Sequence, residues 1–420
     1  MSSLIRVYIS MLFLLPGAQN SLCGSVDSTS PSTSIDPKGP DWLTGERVNF
    51  GGILFPHLHA AAVYGGTTIK GGHEAAAGHH DPITDGWTIQ GFEAGATGRF
   101  GNYLETFGVA HLSQDAESGD WDLEAEEYFA KLKNLPGGLE LRGGRYLNRL
   151  GFHNSQHQHA WDWSDNYLVS GRFLGDDGLY SMGGELSWTL PLDSLQWESV
   201  VSVSVGDAQP EAHEHGEEPD PEPRYEAAGA AWQSTLTAIN WTSVYNYNDF
   251  HQWRFGISGV FGKNAWNRDS NVYGAHAGYQ WRQNGLEPGG RYFRWSNEAM
   301  LRHIDALSGP LPGEPTDANA AKPRAGSFHE WGCYSQVIYG LPTGLAGPLE
   351  MGLRMDYVQG VQSADLPERL RLSPSVRLFA NTQRTASLAV HYNFDDFADR
   401  GTEHSLWLSI ALNWGGPEVR

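Results

Sequence analysis

Apolar and polar residues alternate one by one along much of this chain. In the stretch 405–414 the apolar face consists of Leu406, Leu408, Ile410, Leu412 and Trp414, and most of the interleaved residues are small or polar. Similar alternation runs through 385–394, 369–378, 349–357, 272–282 and 182–189. Because the side chains of a β-strand point to opposite faces in turn, this period of two predicts strands with one apolar face. The chain is therefore predicted to be all-β.

About sixteen such segments follow one another, an even number that is typical of single-chain bacterial barrels. Their expected first residues are Ile53, Gly86, Tyr103, Leu123, Leu139, Leu179, Leu195, Ala230, His251, Val272, Tyr292, Ser327, Leu349, Leu370, Thr385 and His404. Segments of about 10 residues match the length that a tilted strand needs to cross a bilayer. Aromatic residues such as Trp87, Trp188 and Trp281 lie near segment ends, where interfacial girdles are found.

The connections between segments alternate in length. Those at 135–138, 191–194 and 381–383 are short, whereas the long ones lie at 65–85, 150–178, 207–229 and 305–326. Short periplasmic turns and long outer loops are the expected asymmetry of outer-membrane barrels. We therefore predict a transmembrane antiparallel up-and-down β-barrel of about sixteen strands with long extracellular loops. A soluble secreted β-protein is the alternative, because alternation by itself does not separate a barrel from a sandwich.

Two irregularities are expected in the strand ladder. The alternation changes parity at Glu126 and Glu127, as a β-bulge would cause. Pro374 lies inside a predicted strand, although proline cannot donate a backbone hydrogen bond. We therefore expect local breaks in the pairing at these two places.

The N-terminal residues predict export. Arg6 precedes an apolar run that is about half the length of a membrane-spanning helix, and small residues follow it. We assign residues 1–18 to a signal peptide, 19–41 to a disordered leader rich in serine, threonine and proline, and 42–420 to an outer-membrane β-barrel. The expected location is the bacterial outer membrane, with lipid as the surrounding partner.

Charge and cysteine content narrow the range of functions. The 420 residues carry 28 Lys and Arg against 49 Asp and Glu, a formal net charge of −21, so a nucleic-acid partner is not expected. Two cysteines cannot build a disulfide framework. The pore-lining candidates on the predicted inner face are Glu185, Glu298, Glu350, Arg354, Asp356, Arg369, Arg371 and Arg377. A hydrated interior of this kind favours a channel for small ions or solutes, although the same ions could instead pair and brace the wall.

Histidines are concentrated in three of the long loops. The candidate metal ligands are His73, His79, His80, Asp81, His153, His157, His159, His213 and His215. Imidazole and carboxylate are ligands that zinc prefers, and exchangeable Zn²⁺ is the one cofactor that the sequence suggests. The plainer interpretations are a solvated acidic loop at 211–226 and, for the histidines at 153–159, a loop held against the barrel mouth by its aromatic residues.

Several short motifs, most of them in the same order, resemble a bacterial outer-membrane family named zinc-regulated TonB-dependent outer membrane receptors. They are Gly144-Arg145-Tyr146, Gly151-Phe152, Asn154-Ser155-Gln156-His157-Gln158-His159, Trp161-Asp162, Gly78-His79-His80-Asp81-Pro82 and His404-Ser405-Leu406-Trp407-Leu408. The resemblance implies a porin-like outer-membrane barrel with a part in the uptake of zinc or other metals. TonB-dependent receptors have about 22 strands and a plug, and this chain is too short for both, so TonB-coupled transport is not expected.

Three functions are compatible with this pattern. The first is a porin-like channel for divalent metal ions such as zinc, whose acidic and histidine-bearing loops concentrate cations at the mouth. The second is a non-conducting surface barrel that binds metal or partners through its loops. The third, a hydrolase using Ser387 and His391, lacks an accompanying nucleophile motif, so we predict that the protein is not an enzyme. Monomer and homo-oligomer both remain open.

Overall fold

A computed structural model describes residues 49–69, 77–78, 81–82, 85–114, 121–175, 178–192, 194–208, 232–287, 289–307, 325–343, 347–364 and 366–415. The predicted signal peptide and leader lie outside these residues, so their assignment stays a prediction. Sixteen antiparallel strands form one closed barrel, in which each strand pairs with its sequence neighbours and the first pairs with the last. The predicted fold class is confirmed.

The strands are β1 (Leu54–Thr67), β2 (Gly86–Phe100), β3 (Leu104–Gln114), β4 (Trp121–Leu135), β5 (Leu139–Leu147), β6 (Tyr180–Thr189), β7 (Trp197–Ala208), β8 (Thr235–Asn248), β9 (His251–Lys263), β10 (Asp269–Arg282), β11 (Tyr292–Leu307), β12 (Ala325–Leu341), β13 (Leu349–Val358), β14 (Arg369–Phe379), β15 (Ala386–Phe397) and β16 (Gly401–Gly415). The largest offset from the sequence is at β8, which begins at Thr235 rather than near Ala230. The residues 230–234 carry no clear alternation of apolar and polar side chains.

The two faces of the barrel differ in chemistry. Leu372 and Val376 of β14, and Leu388 and Val390 of β15, are exposed on the outer face. The side chains between them point inward, and His391 is buried there. An apolar outer belt around a closed ladder leaves no unpaired backbone toward lipid, which is the requirement for spanning a bilayer with strands. The protein is an outer-membrane barrel.

Within the described ranges, no helix is both long enough and apolar enough to cross a membrane.

Both expected irregularities are present in the ladder. Val109 of β3 pairs with Glu127, and the next residue pairs with Ala125, so Glu126 is the extra residue of a bulge. Pro374 pairs with β13, whereas the ladder from β14 to β15 passes from Leu372 to Ser375 without pairing the residues between them. The bulge has a chemical consequence, because it turns Glu126 and Glu127 both toward the lumen, where they are 8% and 1% exposed.

Two neighbouring residues of β9 offer a test of the two faces. Ile257 is 59% exposed on the outer face, and Ser258 points inward near the middle of the same strand. We expect Ile257→Arg to lower the free energy of unfolding in lipid vesicles by about 2–4 kcal/mol, the cost of arginine at the bilayer midplane. We expect the matched variant Ser258→Arg to change it by less than about 1 kcal/mol. Urea titration of the refolded protein measures both, and equal losses would contradict the assignment of faces.

Candidate functional site

The connection between β5 and β6 folds into the barrel. Residues 148–175, which we call the inner segment, contain a 3₁₀ turn (Gln158–Ala160) and one short helix, α1 (Leu168–Leu174). Most of its side chains are buried, including Trp163, Tyr167 and Phe173. The connection begins at the end of the barrel that carries the other long connections, as expected, but it folds inward rather than outward. Its aromatic residues bury apolar area inside the lumen, and the wall supplies partners for its polar groups.

The two ends of the inner segment are held together by asparagines. The Asn154 side chain donates to the Asn148 carbonyl at 2.8 Å, and its amide oxygen accepts from the Leu179 N–H at 2.7 Å. The Asn148 side chain donates to Ser181 Oγ at 2.8 Å. The segment therefore leaves the wall and rejoins it at adjacent points of β5 and β6.

Glu298 of β11 holds the first turn of the inner segment. Its Oε1 accepts hydrogen bonds from the backbone N–H groups of Phe152 and His153 at 2.7 and 2.9 Å, and from the Tyr334 hydroxyl at 2.5 Å. Gly151 adopts a φ of 62°, and a Cβ there would lie 1.8 Å from Glu298 Oε2. Only glycine fits both the left-handed backbone and this close approach.

Two aspartates of the inner segment are bound by arginines of the wall. Asp165 Oδ1 accepts from Arg354 at 3.0 Å, and its Oδ2 accepts from Arg371 at 2.8 Å and from Asn393 at 2.7 Å. Asp162 accepts from Arg294 of β11 at 2.8 Å. Burial opposes the ionisation of Asp165, but Arg354 and then Arg371 outweigh it and hold the pKa of Asp165 well below its usual value.

Asp81 and His153 have structural contacts inside this arrangement. Asp81 accepts hydrogen bonds from the backbone N–H groups of Ala77, Gly78 and Asn166, and burial, with the nearby charge of Asp165, raises its pKa to about 7. His153 Nε2 lies 2.7 Å from the Asn166 amide oxygen. Burial lowers the pKa of His153 to about 3, so the ring is neutral at physiological pH.

The other candidate metal ligands separate into two groups. Five of them lie outside the described residues: His73, His79, His80, His213 and His215. Their assignment as metal ligands therefore stays a prediction. His157 and His159 lie in the lumen against β2 and β4 rather than at an outer mouth, which differs from the expected position. His157 Nδ1 is 2.6 Å from Glu126 Oε2, and His159 Nδ1 is 2.7 Å from Glu93 Oε2.

These carboxylate partners were not among the candidate ligands from the sequence. Glu93 lies far from the histidines in the chain, and only the fold brings it beside them. A signal did exist for the other two, because the parity change at Glu126 and Glu127 already implies that two consecutive carboxylates share the inner face.

All eight pore-lining candidates lie on the inner face. The buried ones are Glu185, Glu298, Glu350, Arg354, Asp356, Arg369 and Arg371, and Arg377 is half-buried. Arg369 and Arg371 both bond Asp395 at 2.8 Å, and Arg377 donates to backbone carbonyls of the inner segment. Much of this set is thus covered by the inner segment and paired within the wall, in contrast to the solvated lining that the sequence suggests.

An apolar layer surrounds α1. Val169 and Phe173 pack in one buried cluster with inner-face residues of β8 to β13, which include Leu236, Val272 and Met300. Those positions lie toward the end of the barrel that carries the long connections. This apolar layer narrows the half of the lumen nearest the long connections, and its residues are uncharged.

Water-accessible space remains beside the inner segment. A cavity of about 130 Å³ is lined by Glu127, Arg142, Leu147, Arg149 and Ser155. Further along the wall, Arg254 of β9 is an exposed residue, and its guanidinium carbon lies 5.7 Å from the ring centre of Phe152. The inner segment therefore borders the cavity through Arg149 and Ser155 and contacts Arg254 through Phe152.

The hydrolase pairing of Ser387 with His391 is not the contact that the structure makes. His391 faces Ser164 of the inner segment, whose Oγ is 3.3 Å from Nδ1 and 3.4 Å from Nε2. The adjacent carboxylate of Asp165 is occupied by two arginines. The Ser164 hydroxyl lies about equally far from both nitrogens of His391, and Asp165 is paired with arginines instead of orienting the ring. This geometry does not fit a nucleophile activated by a general base.

Sequence comparisons do not show which family the chain belongs to. No model of a known protein family matches the chain. An uncharacterized protein of Aquifex aeolicus (strain VF5) is 28% identical over 111 residues, which are 24% of this chain and 22% of that protein. The match therefore spans about a fifth of the length of that relative, as the 22% coverage shows. The resemblance to zinc-regulated TonB-dependent receptors is not confirmed.

Solved structures give the fold. OprB of Pseudomonas putida matches with a TM-score of 0.53 and 9% identity over 86% of this chain and 94% of that chain. An anion-selective porin from Comamonas acidovorans matches with a TM-score of 0.48 and 10% identity over 86% and 98%. The outer membrane channel DcaP of Acinetobacter baumannii matches with a TM-score of 0.48 and 12% identity over 86% and 96%. At these identities the likeness to OprB concerns the fold alone, and this chain shares that fold.

Proposed function

We propose that the protein is a porin-like passive channel whose narrowest part is set by the inner segment. The observation that supports this most is the attachment of the inner segment across the lumen by Asp162 and Asp165, which bond arginines of the opposite wall. A sixteen-strand barrel has an interior wide enough for water unless a loop folds into it. The inner segment therefore limits passage to small ions and solutes.

The proposed cargo is divalent metal ions such as zinc, which would pass as exchangeable ions. Two observations support this choice. His157 and His159 lie in the lumen beside carboxylates, which together are ligands that borderline cations accept. The formal net charge of −21 also raises the local concentration of cations near the protein.

Small anions are a second candidate cargo. The side chains of Arg149 at the start of the inner segment, Arg294 of β11 and Arg384 in the turn between β14 and β15 are 24%, 33% and 32% exposed. Arg254 of β9 is exposed as well. Cationic side chains that border a narrow aqueous passage favour anions. The carboxylates near them are more deeply buried, as for Glu185 and Glu350.

Single-channel recording in planar bilayers tests the role of the inner segment. We expect the wild-type protein to give small conductance steps and the double variant Asp162→Asn, Asp165→Asn to give steps several times larger. Removing both charges breaks the ion pairs that join the segment to Arg294, Arg354 and Arg371, and the segment is released. The matched control is Asp269→Asn, which removes an exposed aspartate paired with Lys263 and is expected to leave the steps unchanged.

Heat-modifiable migration on a gel verifies that each variant has formed its barrel. If neither the folded wild type nor the folded double variant conducts, the channel proposal is wrong and a non-conducting surface barrel takes its place.

The reversal potential in a salt gradient decides between the two cargoes. For divalent cations we expect a preference for cations that persists with ZnCl₂, because the lumen carboxylates and imidazoles attract them. Anion preference that weakens in the double variant Arg149→Gln, Arg254→Gln would instead favour small anions. The control is Lys263→Gln, which removes an exposed cation paired with Asp269.

A further inference from the structure

A buried cluster of carboxylates and imidazoles joins the inner segment to the wall. Its members are Glu93 of β2, His111 of β3, Glu126 and Glu127 of β4, and His157 and His159 of the inner segment. One oxygen of Glu93, one oxygen of Glu126 and one ring nitrogen of His157 lie within 4.8 Å of one another. Ligands about 2 Å from a single Zn²⁺ ion lie about 3.3 Å apart, so a shift of about 1 Å brings this set to metal distance.

A neutral His157 ring cannot donate a hydrogen bond to both of the carboxylates that its nitrogens contact. Its Nδ1 is 2.6 Å from Glu126 Oε2, and its Nε2 is 2.8 Å from Glu127 Oε2. A neutral imidazole has one N–H donor and one lone pair, so one of its nitrogens would direct a lone pair at a carboxylate. Either a second proton or a cation next to that nitrogen removes the conflict.

His111 meets the same conflict at the same carboxylate. Its Nε2 lies 3.1 Å from the Gln90 carbonyl, which can only accept, so this nitrogen carries the hydrogen. Its Nδ1 then points a lone pair at Glu126 Oε1, 3.0 Å away. Two imidazoles therefore converge on the Glu126 carboxylate, and each contact needs a proton or a cation between nitrogen and oxygen.

A metal ion at Nδ1 of His157 satisfies this ring and two of the carboxylates at once. With the ion bound to Nδ1 of His157, Nε2–H donates to Glu127, the carboxylate–histidine–metal arrangement that orients ligands at many metal sites. Glu93 and Glu126 supply oxygen ligands. His111 and His159 contact these two carboxylates, at 3.0 Å from Glu126 and 2.7 Å from Glu93. Mixed nitrogen and oxygen ligands suit zinc and related borderline cations, whereas Ca²⁺ and Mg²⁺ prefer oxygen alone.

We propose that Glu93, Glu126 and His157 form a resident binding site for a borderline divalent cation such as Zn²⁺, and that the bound ion ties the inner segment to the wall of β2 and β4. The site holds its ion as a structural element of the barrel. The inference does not depend on which solute the channel passes.

The position of the site explains what such an ion does. Asp162 and Asp165 fix the later part of the inner segment to β11, β13 and β14. His157 precedes them and contacts the other side of the barrel. A cation between His157 and β4 therefore fixes the segment at both sides, and its loss leaves the early part of the segment held by fewer contacts.

Isothermal titration calorimetry with ZnCl₂ tests the site on the full chain in detergent micelles after removal of metal with EDTA. We expect one buried-site Zn²⁺ per chain that Ca²⁺ and Mg²⁺ do not displace. Glu126→Gln and His157→Gln should weaken this binding by at least about 10-fold, the usual loss for altered ligands or their supporting groups. Hydrogen–deuterium exchange of inner-segment peptides should slow when Zn²⁺ is added to the wild type.

Two controls isolate this site from other histidines. His276→Asn removes a lumen histidine that packs against Phe152 of the same segment, and it should bind Zn²⁺ like the wild type. The double variant His213→Ala, His215→Ala removes two candidate ligands that the sequence places in the connection at 207–229, and it should likewise keep the buried site.

A wild-type chain that binds no Zn²⁺, or unchanged binding in Glu126→Gln and His157→Gln, overturns the proposal, and the cluster is then held by protons alone. The first of these results needs no variant, so it stands even if a variant fails to fold. Zinc binding without conductance would contradict the channel proposal but support the metal site. Conductance without zinc binding would support the channel and contradict the metal site.

Discussion

The pairing of Asp165 with Arg354 and Arg371 is the interaction on which the interior of this barrel depends. All three side chains are buried, and a buried charge is costly unless an opposite charge and hydrogen bonds compensate for it. Each arginine comes from the wall, and the aspartate comes from the inner segment. The arginines also pair with Asp356 and Asp395 of the wall, whereas Asp165 takes its compensating charge from the arginines, so the wall holds the segment in one conformation.

The remaining contacts of the inner segment follow from that constraint. Once the segment crosses the lumen, its backbone needs acceptors and donors away from water, and Glu298 and the two asparagines near its start provide them. The apolar residues of α1 then find an inner wall that is itself apolar near the long connections. Charge fixes the middle of the segment, and apolar packing fixes its end.

The bulge in β4 shows how a small irregularity creates chemistry. A regular strand would send Glu126 and Glu127 to opposite faces, one of them toward lipid. The extra residue places both in the lumen, where His157 meets one with each ring nitrogen. The lumen wall thus holds the same segment in two ways. On one side wall arginines bind aspartates of the segment, and on the other side wall carboxylates bind its imidazoles.

The period of two, the segment lengths and the alternating connections determined the barrel, its strand number and its inner and outer faces, because a strand exposes each face to one environment along its whole length. Even the bulge at Glu126 was visible as a change of parity. The path of residues 148–175 could not be read from the sequence, because an outer loop and an inward-folded loop share the same local sequence features. Only the closed barrel brings Asp165 to Arg354 and Arg371, and His157 to Glu93, across long separations in the chain. Those contacts are properties of strand order and curvature, which no local pattern of residues encodes.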